Sequence, residues 1–184
     1  MYLVGLGNPG AEYRNTRHNM GFILIDRMVG EKEKPKKVCR SLFYKGRGQI
    51  SGFVKPQTYM NLSGRALKCL RELKEISARD FIICYDDVDL PFGELRIRDR
   101  GGSGGHKGIK SILENLEDDR FIRLRIGISN DEGKETRDYV LDEFTGEEAE
   151  RLPEIMKTAQ RAVLTIVRRG VTVAQNMFNR RLNA

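Results

Sequence analysis

Short apolar runs alternate along the chain with segments in which apolar residues recur at the spacing of a helix. The runs predict strands over Tyr2–Val4, Ser41–Tyr44, Gln49–Lys55, Phe81–Tyr85, Phe121–Ile128 and, at a sheet edge, Glu94–Arg98. The helical segments run from Thr16 to about Val29, from Asn61 or Ser63 to about Leu73, and over Gly108–Leu116. This alternation predicts an α/β fold, a single domain over residues 1–184 in which a twisted mixed β-sheet has helices on both faces.

The C-terminal part of the chain predicts a long helix. Its start is marked by a capping-box pattern, Thr145-Gly-Glu-Glu148. Pro153 is expected to kink this helix or divide it in two, because proline lacks an N–H and its ring clashes with the preceding turn. Gly170 is expected to end the helix, and a short helix follows it.

Charge is unevenly distributed, although the composition is that of an ordinary globular protein. The 33 Lys and Arg exceed the 26 Asp and Glu, so the net charge is +7. This excess favours an anionic partner, nucleic acid first, or else it only keeps the surface soluble. The last 25 residues contain five arginines and no acid: Arg161, Arg168, Arg169, Arg180 and Arg181. They favour contact with a phosphate backbone, or for Arg168 and Arg169 a stabilising position at a helix C-terminus.

The cysteine count and the lengths of the apolar runs limit where the protein acts. Three cysteines, Cys39, Cys69 and Cys84, are an odd number with no close pair, which predicts unbridged, mostly buried thiols in a reducing cytoplasm. No apolar run approaches the length of a membrane span, and the N-terminus lacks the pattern of a secretory signal. The lysine-rich stretch from residue 31 to residue 37 is interpreted as a solvated, mobile loop.

Two glycine-rich motifs resemble known sites without satisfying their requirements. The first, Gly5-Leu-Gly-Asn-Pro-Gly10, matches the dinucleotide-binding pattern GxGxxG, but Pro9 removes an amide that should face a pyrophosphate. The expected second strand ending in an acid is also missing from the sequence pattern. The second motif, Gly101-Gly-Ser-Gly-Gly105, matches the nucleophile elbow GxSxG, but the segment before it is highly charged. A flexible loop facing a substrate explains it better.

Histidine is scarce, so imidazole chemistry near neutral pH depends on His18 or His106. His18 begins a predicted helix soon after the strand-end loop that contains Asn8, and Asp86 follows another buried strand. A carboxylate bonded to one ring nitrogen leaves the other nitrogen free to take a proton from water. Asn8 and Asn61 add neutral donors and acceptors. The acids after the strand could hold Mg²⁺, but the sequence offers no further ligands, so no metal or cofactor is expected.

Six motifs closely resemble bacterial-type peptidyl-tRNA hydrolases and recur in family order over nearly the whole chain. They are Leu3–Gly10 with Tyr13, Asn15–Phe22, Val54–Gly64, Asp86–Gly93, Gly101–His106 and Arg123–Ile128. The resemblance implies hydrolysis of the ester that joins a peptide to the 3′ end of tRNA, by a cytoplasmic monomer. The expected partner is peptidyl-tRNA, bound through its acceptor end and 5′-phosphate.

The resemblance also implies roles for individual residues. His18 aligns with the general base that activates water, Asp86 with the acid that keeps this imidazole basic, and Asn8 with the asparagine that distinguishes a blocked from a free amino group. Tyr13, Tyr59 and Asn61 align with residues that contact the substrate end. Arg98 and Arg125 align with basic residues that clamp the tRNA 5′-phosphate, a contact to the backbone rather than to sequence.

Lys107 departs from the family pattern, in which asparagine follows the histidine of the glycine-rich loop. Lysine cannot accept a hydrogen bond, but it can offer charge to a phosphate or to a developing oxyanion. Two alternatives stay open on the sequence alone. One is a non-catalytic RNA-binding relative on the same scaffold, and the other is a nucleotide-dependent oxidoreductase based on GxGxxG. The segment Asp138–Phe144 is further expected to act as a mobile lid over the peptide groove.

Overall fold

A seven-stranded mixed sheet organises the chain. The computed structural model describes residues 1–30, 32–129, 133 and 135–179. The strands are β1 (Tyr2–Gly5), β2 (Lys36–Val38), β3 (Ser41–Arg47), β4 (Ile50–Pro56), β5 (Phe81–Asp87), β6 (Leu95–Arg98) and β7 (Ile122–Gly127). Their order is β2-β3-β4-β1-β5-β7-β6. The four central strands are parallel, whereas β2, β3 and β6 run antiparallel to their neighbours.

Helices cover both faces of this sheet. They are α1 (Met20–Val29), α2 (Ser63–Lys74), α3 (Lys107–Leu116), α4 (Thr136–Tyr139), α5 (Gly146–Arg169) and α6 (Val171–Phe178). Successive strand residues point to opposite faces, so Leu3 packs in one core with α1, α5 and α6, and Val4 in a second core with α2 and α3. The α/β architecture and the two-sided helical cover predicted from the sequence are confirmed.

Most predicted elements lie within a residue or two of their observed bounds, with three differences. The Thr16 hydroxyl donates to the Tyr13 carbonyl at 2.9 Å and caps no helix; a short 3₁₀ turn, Arg17–Asn19, precedes α1. Lys36–Val38 forms edge strand β2, so this end of the lysine-rich stretch is not a loop. Pro153 does not divide α5, which is continuous from Gly146 to Arg169. Of the C-terminal arginines, Arg180 and Arg181 lie outside the described residues.

The glycines of the N-terminal motif let a strand and a helix meet backbone to backbone. A Cβ atom built on Gly5 would lie 2.1 Å from the Gly21 carbonyl oxygen, and one on Gly21 would lie 2.3 Å from the Leu6 nitrogen. A Cβ on Gly7 would lie 2.6 Å from the Phe22 ring. These positions therefore exclude larger residues, and the motif serves close packing of β1 against α1 rather than a pyrophosphate.

A disulfide joins Cys39 to Cys69, so the expectation of unbridged thiols is wrong for these two cysteines. Cys39 and Arg40 form the two-residue turn between β2 and β3, and both have positive φ angles, 48° and 53°. This turn geometry matches the twist of a hairpin. The bond ties the turn to α2, and only Cys84 is a free, buried thiol. The cysteines therefore give no support for a reducing compartment.

Among the described residues, no helix has the length and apolar character that a bilayer crossing requires.

Replacing Cys39 or Cys69 with serine should lower the free energy of unfolding by about 3–4 kcal/mol, the loop-closure entropy for a separation of 30 residues. Chemical denaturation of the oxidised protein measures this. The double variant should lose no more than either single variant, because one bond accounts for both effects. Additive losses, or parental stability in the single variants, would contradict a formed disulfide.

Candidate active site

A cleft of about 1200 Å³ opens where the carboxyl ends of β1 and β5 meet the segments before α1, α2 and α3. Ligands of open α/β sheets bind at such strand ends. The cleft is lined by most of the residues selected from the sequence: Asn8, His18, Tyr59, Asn61, Asp86, Arg98, Lys107 and Arg125. Tyr13 is not among the lining residues. It lies half-buried in the turn before His18, where its carbonyl accepts bonds from Thr16.

His18 and Asp86 form a close pair of ionisable side chains in the lining of the cleft. The His18 Nδ1 atom lies 2.8 Å from Asp86 Oδ2 and 3.0 Å from Oδ1. Because a carboxylate only accepts hydrogen bonds, this contact places a proton on Nδ1. In the neutral ring, Nε2 is then an acceptor. His18 is therefore held in the tautomer that a general base requires.

His106 contacts the same carboxylate, and sequence reasoning assigned it no role. Its Nε2 atom lies 3.3 Å from Asp86 Oδ1, and its Nδ1 accepts the Ile109 backbone N–H at 3.2 Å as the N-cap of α3. The acceptor role of Nδ1 puts the ring proton on Nε2, so His106 donates to Asp86. The Tyr85 ring packs against it, with centroids 4.8 Å apart. The signal in the sequence is the histidine directly before a helical segment, at an N-cap position.

Asp86 is almost completely buried, and its two histidine partners keep it charged. Burial by itself would raise the pKa of this carboxyl. The adjacent His18 and His106, through their charge and their hydrogen bonds, outweigh burial and lower the pKa well below its ordinary value. The carboxylate is therefore ionised at neutral pH and accepts from both rings.

Asn8 has a fixed amide orientation. Its Oδ1 accepts the Met60 N–H at 2.8 Å, which leaves the Nδ2 donors for the cleft. Its backbone N–H and carbonyl are both bonded to the Asn19 side chain, at 2.8 and 3.1 Å. These bonds join the loop after β1 to the turn that contains His18. Asn8 therefore presents a donor, rather than an acceptor, beside the histidine.

The rim of the cleft near Asn8 offers exposed side chains. Tyr59 is 60% exposed, and the neighbouring Asn61 is exposed in a single 3₁₀ turn before α2. Lys107 is exposed as the first residue of α3, beside the His106 cap. Gly104 and Gly105, with φ of 55° and 78°, form the turn that carries His106 into the cleft. This conformation explains why glycine occupies both positions of the turn.

The arginine end of the cleft is formed by Arg98, Arg100, Arg123 and Arg125, on or beside strands β6 and β7. Arg98 lies on β6 directly opposite Arg123 on β7, and Arg96 lies opposite Arg125. Arg98 and Arg100 are exposed, whereas Arg125 donates from Nε to Asp87. Arg123 is buried: it donates to the Gly101 carbonyl, and its guanidinium carbon lies 4.2 Å from the Phe121 ring centroid. Desolvation by burial lowers the pKa of Arg123. The sequence did not predict that Arg123 contacts the glycine-rich loop. This end of the cleft suits a phosphate.

Comparison with known proteins agrees with this geometry. The sequence profile of the peptidyl-tRNA hydrolase family matches residues 2–184. The chain is 45% identical to the peptidyl-tRNA hydrolase of Clostridium tetani over 184 residues, 96% of each chain, and 41% identical to that of Alkaliphilus oremlandii over 181 residues, 96% of this chain and 98% of that one. The crystal structure of the Acinetobacter baumannii enzyme superposes with a TM-score of 0.88 at 30% identity, covering 97% of this chain and 93% of that one.

The chain belongs to the peptidyl-tRNA hydrolase family. It is therefore an enzyme whose function is the hydrolysis of peptidyl-tRNA. The match covers almost the full length of its relatives, so the family assignment applies to the residues that form the fold and the cleft.

The His18, Asp86 and His106 side chains of this peptidyl-tRNA hydrolase also have the composition of a metal site, with ligand atoms within 4.8 Å of one another. Their hydrogen bonds do not fit that use. A metal-bound histidine normally donates from its other ring nitrogen, whereas the other nitrogen of His106 accepts the Ile109 N–H. The ring nitrogens that face Asp86 carry protons, which makes the cluster a hydrogen-bonded carboxylate instead.

Replacing His106 with alanine should lower the free energy of unfolding, because α3 loses its N-cap, worth about 1–2 kcal/mol, and buried Asp86 loses one of its two donors. His106→Asn is the matched control, since it lacks the same ring contact to Asp86 but is a good N-cap residue, and it should therefore be about 1–2 kcal/mol more stable than His106→Ala. Thermal and urea denaturation of both variants measure the difference. Equal losses in the two variants would show that the cap contact does not stabilise the helix.

Proposed function

We propose that His18 is the general base for ester hydrolysis in this peptidyl-tRNA hydrolase, oriented by Asp86. The observation that carries this assignment is the contact of His18 Nδ1 with both carboxylate oxygens of Asp86, at 2.8 and 3.0 Å, in a ring that lines the cleft. The contact fixes the proton on Nδ1 and leaves Nε2 as the basic nitrogen. A base positioned in this way typically accelerates a reaction by about 10²–10⁴-fold.

The proposed reaction moves one proton through His18. Nε2 takes a proton from water as the water oxygen attacks the ester carbonyl carbon, and the carbonyl oxygen becomes an oxyanion. When the bond to the terminal ribose oxygen breaks, the same proton returns from Nε2 to that oxygen. Asp86 stabilises the imidazolium that exists between the two steps, without itself being protonated. The products are the free peptide acid and tRNA.

Asn8 is proposed to select a blocked amino group. Its Nδ2 is available to the cleft because its Oδ1 is bonded to the Met60 N–H. An amide donor can bond the carbonyl oxygen of a peptide or an N-acetyl group, whereas a free ammonium offers only further donors. Tyr13, Tyr59 and Asn61 are proposed to contact the substrate end beside it. Lys107 supplies a cation there, in place of the asparagine of the family pattern.

Arg98 and Arg125 are proposed to hold the tRNA 5′-phosphate. They line the cleft together with Arg100 and Arg123, and His18 lines the same cleft. Arginine binds phosphate through paired N–H donors, which recognise the tRNA backbone independently of sequence. Such contacts position the acceptor end so that the ester reaches His18.

Replacing His18 with alanine should lower kcat for N-acetylated aminoacyl-tRNA by about 10²–10⁴-fold, because no base remains to activate water. Affinity for tRNA should stay within about twofold of the parent, since the arginine end is unchanged. Steady-state hydrolysis and a binding titration with deacylated tRNA measure the two effects. Near-parental hydrolysis would remove His18 from the mechanism. A parent chain that binds tRNA but hydrolyses no blocked substrate would favour the non-catalytic relative.

Replacing Asp86 with asparagine should lower kcat by about 10–100-fold, less than the loss of His18. The new amide can either accept from His18 Nδ1 or donate to it, so only the molecules in which it donates carry the ring proton on Nε2 and lose the base. A pH profile of kcat for this variant, compared with the parent, reports the change in the titrating group. Parental kcat and an unchanged profile would show that Asp86 does not orient the ring.

Replacing Arg98 with alanine should raise KM about tenfold for tRNA carrying a 5′-phosphate and leave KM for dephosphorylated tRNA unchanged. The comparison isolates the phosphate contact because the substrate change removes the same interaction as the mutation. Arg120→Ala is the control, since Arg120 is exposed before β7 and pairs with Asp118 away from the cleft. An equal rise in KM for both tRNAs would place the phosphate elsewhere.

A further inference from the structure

The side chain of Arg17, the residue before His18, contacts three groups between Tyr139 and Glu148. Its Nε and Nη2 donate to the two carboxylate oxygens of Glu148, at 3.3 and 2.6 Å. Its Nη1 donates to the Glu143 carbonyl at 2.9 Å, and its guanidinium lies 4.4 Å from the centroid of the Tyr139 ring. The side chain is only 5% exposed. A paired, bidentate arginine with little solvent access is a much stronger contact than a surface ion pair.

The capping box holds the Glu148 side chain in place independently of Arg17. Glu148 is the third residue of α5, where its Oε2 accepts the Thr145 N–H at 2.8 Å and its own N–H donates to the Thr145 hydroxyl. The N-terminus of a 24-residue helix also favours a negative charge at this position. The carboxylate is thus preorganised by the capping box, and little side-chain freedom is lost when it binds Arg17.

The same segment also contacts the backbone of the histidine turn and forms part of the cleft. The His18 N–H donates to the Val140 carbonyl at 2.8 Å, and the Arg17 N–H to the Asp142 carbonyl at 3.1 Å. Val140 and Leu141 line the cleft. These bonds attach the segment expected to act as a lid, Asp138–Phe144, to the turn that contains His18.

We infer that Arg17 is a positioning residue, which uses its ion pair with Glu148 to fix both the backbone of His18 and the Val140–Leu141 wall of the cleft. The inference rests on the proposed role of His18 as the base. Arg17 acts through its neighbours and not on the substrate. A displacement of about 1 Å in such a support can cost up to about 10²-fold in rate, because the base leaves its productive geometry.

The test uses Glu148→Gln, which removes the charge but keeps a capping-box residue, so the start of α5 is retained. With N-acetylated aminoacyl-tRNA as substrate, we expect kcat to fall about tenfold and KM to stay within about twofold, because the arginine end is untouched. Glu147→Gln is the matched control: Glu147 is exposed on the same turn and, within the described part of the chain, has no ion pair. It should keep the parental kcat.

Arg17→Lys and the double variant Arg17→Gln/Glu148→Gln complete the experiment. Lysine keeps the charge but cannot span Glu148 and the Glu143 carbonyl together, so kcat should fall in this variant as well. The double variant should lose no more than the worse of its single variants, as expected for two residues that act as one unit. Glu148→Gln and Arg17→Lys decide the question if Arg17→Gln does not fold.

The outcomes separate this inference from the proposed mechanism. A parental kcat in Glu148→Gln, with or without a lower Tm, would overturn the positioning role and leave the proposed base intact. So would additive losses in the double variant. If His18→Ala retains the parental rate, the base assignment itself fails, whatever the Glu148 variant does.

Discussion

A buried carboxylate that must be compensated is the constraint on which this site depends. Asp86 lies next to the end of the central strand β5 with almost no solvent contact, and an isolated charge in that position would be strongly destabilising. Two imidazoles from distant parts of the chain bond to it, Nδ1 from His18 and Nε2 from His106. The rings differ in what holds the other nitrogen. Nδ1 of His106 caps the N-terminus of α3, whereas Nε2 of His18 is an acceptor in the neutral ring. One acid thus holds two histidines whose second ring nitrogens differ in their partners.

Close backbone packing determines where His18 lies. Gly5 and Gly21 allow β1 and α1 to approach more closely than any side chain permits, and the turn with His18 lies directly before α1. Asn8 and Asn19 then bond the loop after β1 to that turn. The glycine pattern that resembles a dinucleotide site therefore has a different physical purpose. It brings a strand end and a helix start together, so that an amide and an imidazole share one cleft.

The sequence predicted those features that depend on local pattern. Apolar runs predicted strands over Phe81–Tyr85 and Phe121–Ile128, close to the observed β5 and β7, and four consecutive residues predicted the capping box of α5. His18, Asp86 and Asn8 were selected because each follows or precedes an element end, and the structure brings them together. What was missed depends on contacts between distant residues. Cys39 and Cys69 are 30 positions apart and meet only when a hairpin turn packs on α2. Arg17 and Glu148 are 131 positions apart, and each alone has the character of an ordinary charged residue.

The dual bonding of His106 ties local helix order to the electrostatics of the cleft. Its ring caps the first turn of α3 through Nδ1 and compensates Asp86 through Nε2. Fraying of that turn would release the ring and withdraw one of the two donors from the buried acid. Warming that loosens only the start of α3 would therefore weaken the support of His18 while the sheet is still intact. Local opening of this one helix end, without unfolding of the whole chain, would in this way change the charge balance around the buried acid.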